Sequence, residues 1–158
     1  MKRIDKNNGL FLVGVPRSGT ILLRLILDAH SEIAIPFESF VLIDFSKKVA
    51  TNYDLAGKME DRKRLVLELL NSKGIKKWNP KVSLNDIDLR QCSDYSAVIK
   101  EIFSAYARKC GKTVWGDKTP TYLEHLDVLN SLFPKAKFIH TWIRIISAQP
   151  PKGGECAG

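Results

Sequence analysis

Leu10-Phe11-Leu12-Val13-Gly14-Val15-Pro16-Arg17-Ser18-Gly19-Thr20 runs directly into Ile21-Leu22-Leu23-Arg24-Leu25-Ile26-Leu27-Asp28-Ala29-His30, and the rest of the chain arranges itself around this stretch. Residues 10–15 form a continuous apolar run rather than an alternating one, as expected of a strand buried on both faces of a parallel sheet. Residues 21–27 are apolar except for Arg24, which predicts a following helix buried nearly all round. Between them, Gly14 and Gly19 bracket four residues, and Thr20 stands where the helix begins. Such a turn aims unpaired backbone N–H groups at one point, where the helix dipole also favours negative charge. Arg17 adds a permanent cation whose forked donors suit phosphate or sulfate oxygens. The stretch reads as an anion cradle, against the plainer alternative of a glycine turn that only packs a helix on a strand.

The spacing invites comparison with the phosphate loop of nucleoside triphosphatases, in which a lysine and then a hydroxyl residue follow the second glycine. Here Thr20 and Ile21 occupy those two places, so the cation for the β/γ-phosphates and the magnesium ligand are both replaced. A P-loop small-molecule kinase is disfavoured on that ground, and the loop is expected to hold a phosphate without organising a metal.

A chain of 158 residues with 44% hydrophobic residues suits one globular domain with a real core. The net charge of +8 and pI near 9.5 suit an anionic ligand, nucleic acid or mere solubility, and do not choose among them. Cys92, Cys110 and Cys156 are far apart and without metal-ligand spacing, which fits a reducing compartment and predicts neither disulfide framework nor zinc site. The basic N-terminus before Leu10–Val15 resembles a signal peptide only superficially, because Pro16-Arg17-Ser18-Gly19 interrupts the short apolar run. No stretch is long enough to span a membrane. The expected location is cytoplasmic.

Along the chain, Ile33-Ala34-Ile35-Pro36 reads as a short extended piece, and Phe40-Val41-Leu42-Ile43-Asp44-Phe45 as the start of a helix. Leu65, Leu69 and Leu70 give residues 60–73 the spacing of an amphipathic helix, whereas Gly74 to Gln91 is irregular. A helix is expected over 94–110, capped by Ser93 and stopped by Gly111. A strand at Thr113-Val114-Trp115 leads to Gly116-Asp117-Lys118-Thr119-Pro120, with Thr119 and Pro120 as cap and first helical position. The helix then passes through Tyr122, Leu126, Leu129 and Phe133 to Pro134, and Ala136–His140 reads as a further strand. Alternating strands and helices imply a parallel α/β sheet whose ligands bind beyond the C-terminal strand ends, which puts the 14–20 and 116–119 loops on one edge. His30, His125 and His140 have no partner spacing for a metal or a triad and read as structural or surface residues.

Gly14–Thr20, Leu27-Asp28-Ala29-His30, Ile35-Pro36-Phe37-Glu38-Ser39, Trp115–Pro120 and Leu132–His140 together resemble the sulfotransferase family, in its bacterial and Golgi-type branch. The resemblance covers residues 10–140. It implies an α/β, P-loop-containing three-layer fold with a parallel sheet. It also implies the donor co-substrate 3′-phosphoadenosine 5′-phosphosulfate, no metal, and an acceptor that is a small molecule, glycan or peptide. The donor's 5′-phosphosulfate is expected on Pro16, Arg17, Ser18, Gly19, Thr20 and Ile21. The Pro-x-Glu segment implies Glu38 as general base, and the Asp-Lys-Thr-Pro segment implies Lys118 as the cation over the leaving group. Taken alone, Glu38 reads as a surface or capping carboxylate and Lys118 as a solvated lysine, with Asp117 either pairing with Lys118 or capping a helix.

The sequence departs from the family at two places. Ile21 stands where a second Thr is usual, removing one hydroxyl donor. After His140 the chain reads Thr141-Trp142-Ile143-Arg144-Ile145-Ile146-Ser147, and Ser147 follows Arg144 by three positions instead of the eight usual in the family, so the family's 3′-phosphate site is not carried onto them. Residues 1–140 are therefore expected to be the N-terminal part of a sulfotransferase-like domain. Residues 141–158 are expected to be a non-matching tail from truncation or a shifted frame, with impaired transfer and an uncovered sheet edge that invites self-association. A non-catalytic nucleotide- or nucleic-acid-binding fragment is the other class of function consistent with the composition.

Overall fold

The computed structural model describes residues 8–15 and 17–142. Its centre is a four-stranded parallel sheet in the order β2-β3-β1-β4, built from β1 (Leu10–Gly14), β2 (Ile33–Ala34), β3 (Val114–Lys118) and β4 (Lys137–Thr141). The apolar run 10–14 is buried at every residue because β1 lies between β3 and β4. Its two faces serve different cores. Leu10 and Leu12 pack with Ile33, Ile35, Val114 and the inner side of α1 (Thr20–Asp28). Phe11 and Val13 point to the opposite layer, which contains α4 (Met59–Leu70) and α5 (Tyr95–Lys109). Three layers result, with the sheet in the middle.

The expected α/β architecture stands, with five local differences. The first concerns α1, which is not buried all round. Leu23 and Leu27 face the sheet, while Ile21, Leu22, Leu25 and Ile26 are half or more exposed. One helix on a flat sheet buries one stripe, and among the described residues nothing covers the other side. Arg24, the odd polar residue of that run, donates a 3.0 Å hydrogen bond to the Ile35 carbonyl and so ties α1 to the segment after β2.

Second, β3 runs three residues beyond Trp115, because Gly116, Asp117 and Lys118 continue the pairing with Leu10, Phe11 and Leu12. Third, Asp94 rather than Ser93 caps α5, its carboxylate accepting from the Ala97 amide at 2.9 Å. Fourth, Thr119 and Pro120 stand at the cap and first helical positions, but no side chain bonds the helix end and the first turns are not α-helical. Pro120–His125 forms a 3₁₀ helix and only Leu126–Leu132 is α-helical (α6). Fifth, Phe40 precedes α2 (Val41–Asp44) instead of belonging to it, and Ser46–Asn52 forms a separate α3. The irregular stretch after Gly74 resolves into three short 3₁₀ turns, one closed by a capping box in which Ser83 and Asp86 exchange hydrogen bonds. The β4 edge pairs on one side only among the described residues, and carries the exposed Phe138 with Trp142 just beyond it.

Candidate active site

The 14–20 loop, expected to be an anion cradle, lies where β1 gives way to α1. Arg17 and Gly19 both adopt left-handed backbone conformations, with φ of 70° and 80°. At Gly19 the conformation costs little; at Arg17 it is one that L residues rarely adopt. The Ser18 amide closes the turn on the Val15 carbonyl at 3.1 Å, and Gly19 is the N-cap of α1 with no side chain bonded to the helix end. The first-turn amides of α1 therefore keep their hydrogen-bonding capacity for whatever lies in the loop. Arg17 is exposed, whereas Ser18 and Thr20 are buried. Ile21 turns its side chain to solvent, and Pro16 lies outside the described residues. A contact that the sequence did not reveal holds the loop from the other side: Ser18 Oγ and Thr141 Oγ1 lie 2.7 Å apart, joining the cradle to the end of β4.

The parallel register sets Lys118 beside Leu12, so β1 and β3 deliver their C-terminal ends to the same edge of the sheet. Glu38, on the segment that follows β2, reaches the same place. The Lys118 ammonium, on a side chain only 2% exposed, hydrogen-bonds the Glu38 carboxylate. Two residues eighty positions apart, expected to act together, are brought into contact. A buried ammonium is tolerable only with such a partner. Phe37 adds its ring to the pair, with the Lys118 Nζ 5.9 Å and the Lys77 Nζ 5.0 Å from its centroid.

The structure thus brings the 14–20 loop, a carboxylate and a buried cation to one edge of the sheet. The sequence profile described as the Sulfotransferase family matches residues 9–142. The chain belongs to the sulfotransferase family. It is also 31% identical over 129 residues to nodulation protein NoeE of Sinorhizobium fredii (strain NBRC 101917 / NGR234). That match covers 82% of this chain and 27% of the relative, so the chain spans about a quarter of the length of the curated protein it matches.

In this sulfotransferase-family chain the neighbour of Lys118 is as informative as Lys118 itself. Adjacent strand residues point to opposite faces, so Asp117 cannot pair with Lys118. Its carboxylate is fully buried and accepts from Ser39 Oγ at 2.7 Å and from Thr119 Oγ1 at 3.1 Å. Tyr122 Oη lies 3.3 Å from the same Ser39 hydroxyl and accepts the Leu42 amide at 3.0 Å, while Tyr95 donates to the Val41 carbonyl at 2.6 Å. This network clamps residues 39–42 from beneath and so positions Glu38. Asp117 and Tyr122 stood in the sequence without this role, because their partners lie about eighty residues away. His30 accepts the Glu32 amide at 3.1 Å. No cluster of three or more His, Cys, Asp or Glu suited to a metal ion occurs among the described residues, nor does a helix long and apolar enough to cross a membrane.

Burial pushes the Asp117 carboxyl up to about 6, against the opposing pull of the Ser39 and Thr119 hydroxyls. The protonated form is thus favoured in the folded chain relative to the unfolded one. Its stabilising contribution is complete below the ordinary carboxylate range and disappears as pH rises through about 6. A shift of this size corresponds to about 3 kcal/mol at full extent. Asp117→Asn, uncharged throughout, should therefore lose less stability than the parent between pH 4.5 and 7.5, by about 2 kcal/mol in urea denaturation. Parallel profiles for the two proteins would show that Asp117 is not the titrating group.

Proposed function

We propose that this chain contributes the donor cradle and the proton-transfer pair of a sulfotransferase that moves a sulfuryl group from 3′-phosphoadenosine 5′-phosphosulfate to a hydroxyl or amine acceptor. The observation that supports this reading best is the contact between Glu38 and Lys118 on the strand edge that also bears the 14–20 loop. Sulfuryl transfer needs three things that this edge offers. The donor's phosphosulfate must be held for in-line attack, the acceptor must lose a proton, and the leaving phosphate must meet positive charge.

In the proposed reaction, the acceptor oxygen or nitrogen forms a bond to sulfur while the bond from sulfur to the bridging phosphate oxygen breaks. The acceptor proton passes to the Glu38 carboxylate. Lys118, drawn from Glu38 toward the bridging oxygen, Arg17 and the amides at the start of α1 meet the charge that collects on the departing 5′-phosphate. Nucleoside 3′,5′-bisphosphate leaves, and Glu38 returns its proton to water. The test is transfer of labelled sulfate with release of adenosine 3′,5′-bisphosphate, dependent on acceptor. Magnesium-dependent turnover of ATP instead would overturn the assignment.

The donor's far end gives a separate expectation. Arg144 and Ser147 lie outside the described residues, and their spacing departs from the family's. The 3′-phosphate should add little: affinities for the full donor and for adenosine 5′-phosphosulfate should lie within about tenfold, or 1.4 kcal/mol, in titration calorimetry. A much stronger preference for the 3′-phosphorylated donor would mean that other groups grip that end.

A further inference from the structure

A cavity of about 540 Å³ opens between the stretch Ser39–Phe45 and the turn at residues 72–77, and neither the cradle nor the Glu38–Lys118 pair accounts for it. It abuts the backbone one residue from Glu38. Its far wall is fixed to that backbone at close range. A side-chain carbon on Gly74 would stand 2.1 Å from the Ser39 carbonyl oxygen and 2.6 Å from that of Glu38, so only glycine lets the turn approach this near. Trp78 Nε1 donates to the Phe37 carbonyl at 2.7 Å, a second fastening to the same segment. A molecule in the cavity is therefore held against the segment that carries the proton acceptor.

The lining has a definite chemistry. Lys73 and Lys77 are exposed at its rim, and among the described residues neither forms an ion pair. Asp44 is the one carboxylate in the lining, leaving an excess of positive charge. Phe40 and Phe45 give apolar faces. Phe40 is held at φ 59° and is 39% exposed, a conformation that a bulky residue leaves unless its surroundings hold it. What holds it is the network beneath: Ser39 on Asp117, Leu42 on Tyr122, and Val41 on Tyr95. Phe40 thus stands strained and partly exposed in the lining of the cavity.

We infer that this cavity receives the acceptor, and that the acceptor is a hydroxylated ring compound carrying a negative charge, such as a sugar acid. The ring would lie against Phe40 and Phe45, the anionic group would meet Lys73 and Lys77, and a hydroxyl would face Glu38. The inference rests on the sulfotransferase reading for its choice of hydroxyl, and the experiment separates the two.

Two probes of nearly equal shape differ only at the relevant group: 4-nitrophenyl β-D-glucuronide carries a carboxylate where 4-nitrophenyl β-D-glucoside carries a hydroxymethyl. Binding to the full 158-residue chain at low salt is measured without donor. The glucuronide should bind at least about tenfold more tightly, as one charge-assisted contact gives. The Lys73→Ala/Lys77→Ala variant should bring the two probes to within about threefold, since both lysines are exposed and their loss leaves the core intact. Phe40→Ala should weaken both probes alike. Equal binding of the two probes by the parent, no binding of either, or a preference that survives removal of both lysines would overturn the inference. Adenosine 3′,5′-bisphosphate, titrated into the same proteins, reports on the donor half alone. Its failure to bind would count against the sulfotransferase reading while leaving the anionic ligand's site to stand or fall on the glucuronide data.

Discussion

Glu38→Gln should lower sulfate transfer by about 10²–10⁴-fold, the range that a positioned general base supplies, while leaving donor affinity nearly unchanged. The measurement is best made at saturating donor on this chain joined to the C-terminal segment of a sulfotransferase relative, so that the donor's far end is gripped. The substitution keeps an amide oxygen to accept the hydrogen bond from Lys118, so the buried ammonium is not stranded and the thermal midpoint serves as a control for folding. The loss should sit in the maximal rate rather than in the Michaelis constant for donor, because in the proposed reaction Glu38 meets the acceptor's proton and not the phosphosulfate. Full activity in the variant would remove Glu38 from the mechanism.

Arg17→Ala should cost about 1.5–3 kcal/mol of donor affinity, a loss of roughly 10- to 150-fold. Arg17 is exposed, and among the described residues its side chain forms no ion pair, so the change should appear in binding and not in stability. Affinity for the donor should also be the same with and without magnesium, since Thr20 and Ile21 replace the lysine and metal-binding hydroxyl of nucleotide triphosphate loops. Calorimetry with adenosine 3′,5′-bisphosphate checks both points. Undiminished affinity in the variant, or a strict magnesium requirement, would overturn the assignment of the 14–20 loop as the donor's phosphosulfate site.

Much of this site was legible because its signals are local. A glycine turn between an apolar strand and an apolar helix carries its own geometry, and the alternation of elements put residues 14–20 and 116–119 on one edge. The family resemblance singled out Glu38 and Lys118 separately; their contact is a finding of the structure, and the register of β1 on β3 helps explain how it is achieved. What the sequence concealed is long-range. Nothing near Asp117 indicates that its partner is Ser39, and nothing near Gly74 indicates a carbonyl 2.1 Å from where a side chain would start. The error over α1 has a different origin. A run such as Ile21-Leu22-Leu23 reads the same whether or not a second layer covers its outer side, so apolar character predicts the face that meets the sheet and is silent about the other.

The sheet order has a consequence for the time at which this molecule becomes itself. The strand made first, β1, sits inside the sheet, and its neighbours β3 and β4 are encoded more than a hundred residues later. At synthesis rates of about 5–20 residues per second, β1 waits some 5–20 seconds on the ribosome before either neighbour exists. Throughout that interval Leu10–Gly14 has no native strand neighbour within the growing chain. The loop at residues 14–20, fastened to Thr141 through Ser18, waits for a residue made 123 positions later. Nascent chains of this protein should therefore be clients of a chaperone that binds short apolar segments, released only when Thr141 has emerged.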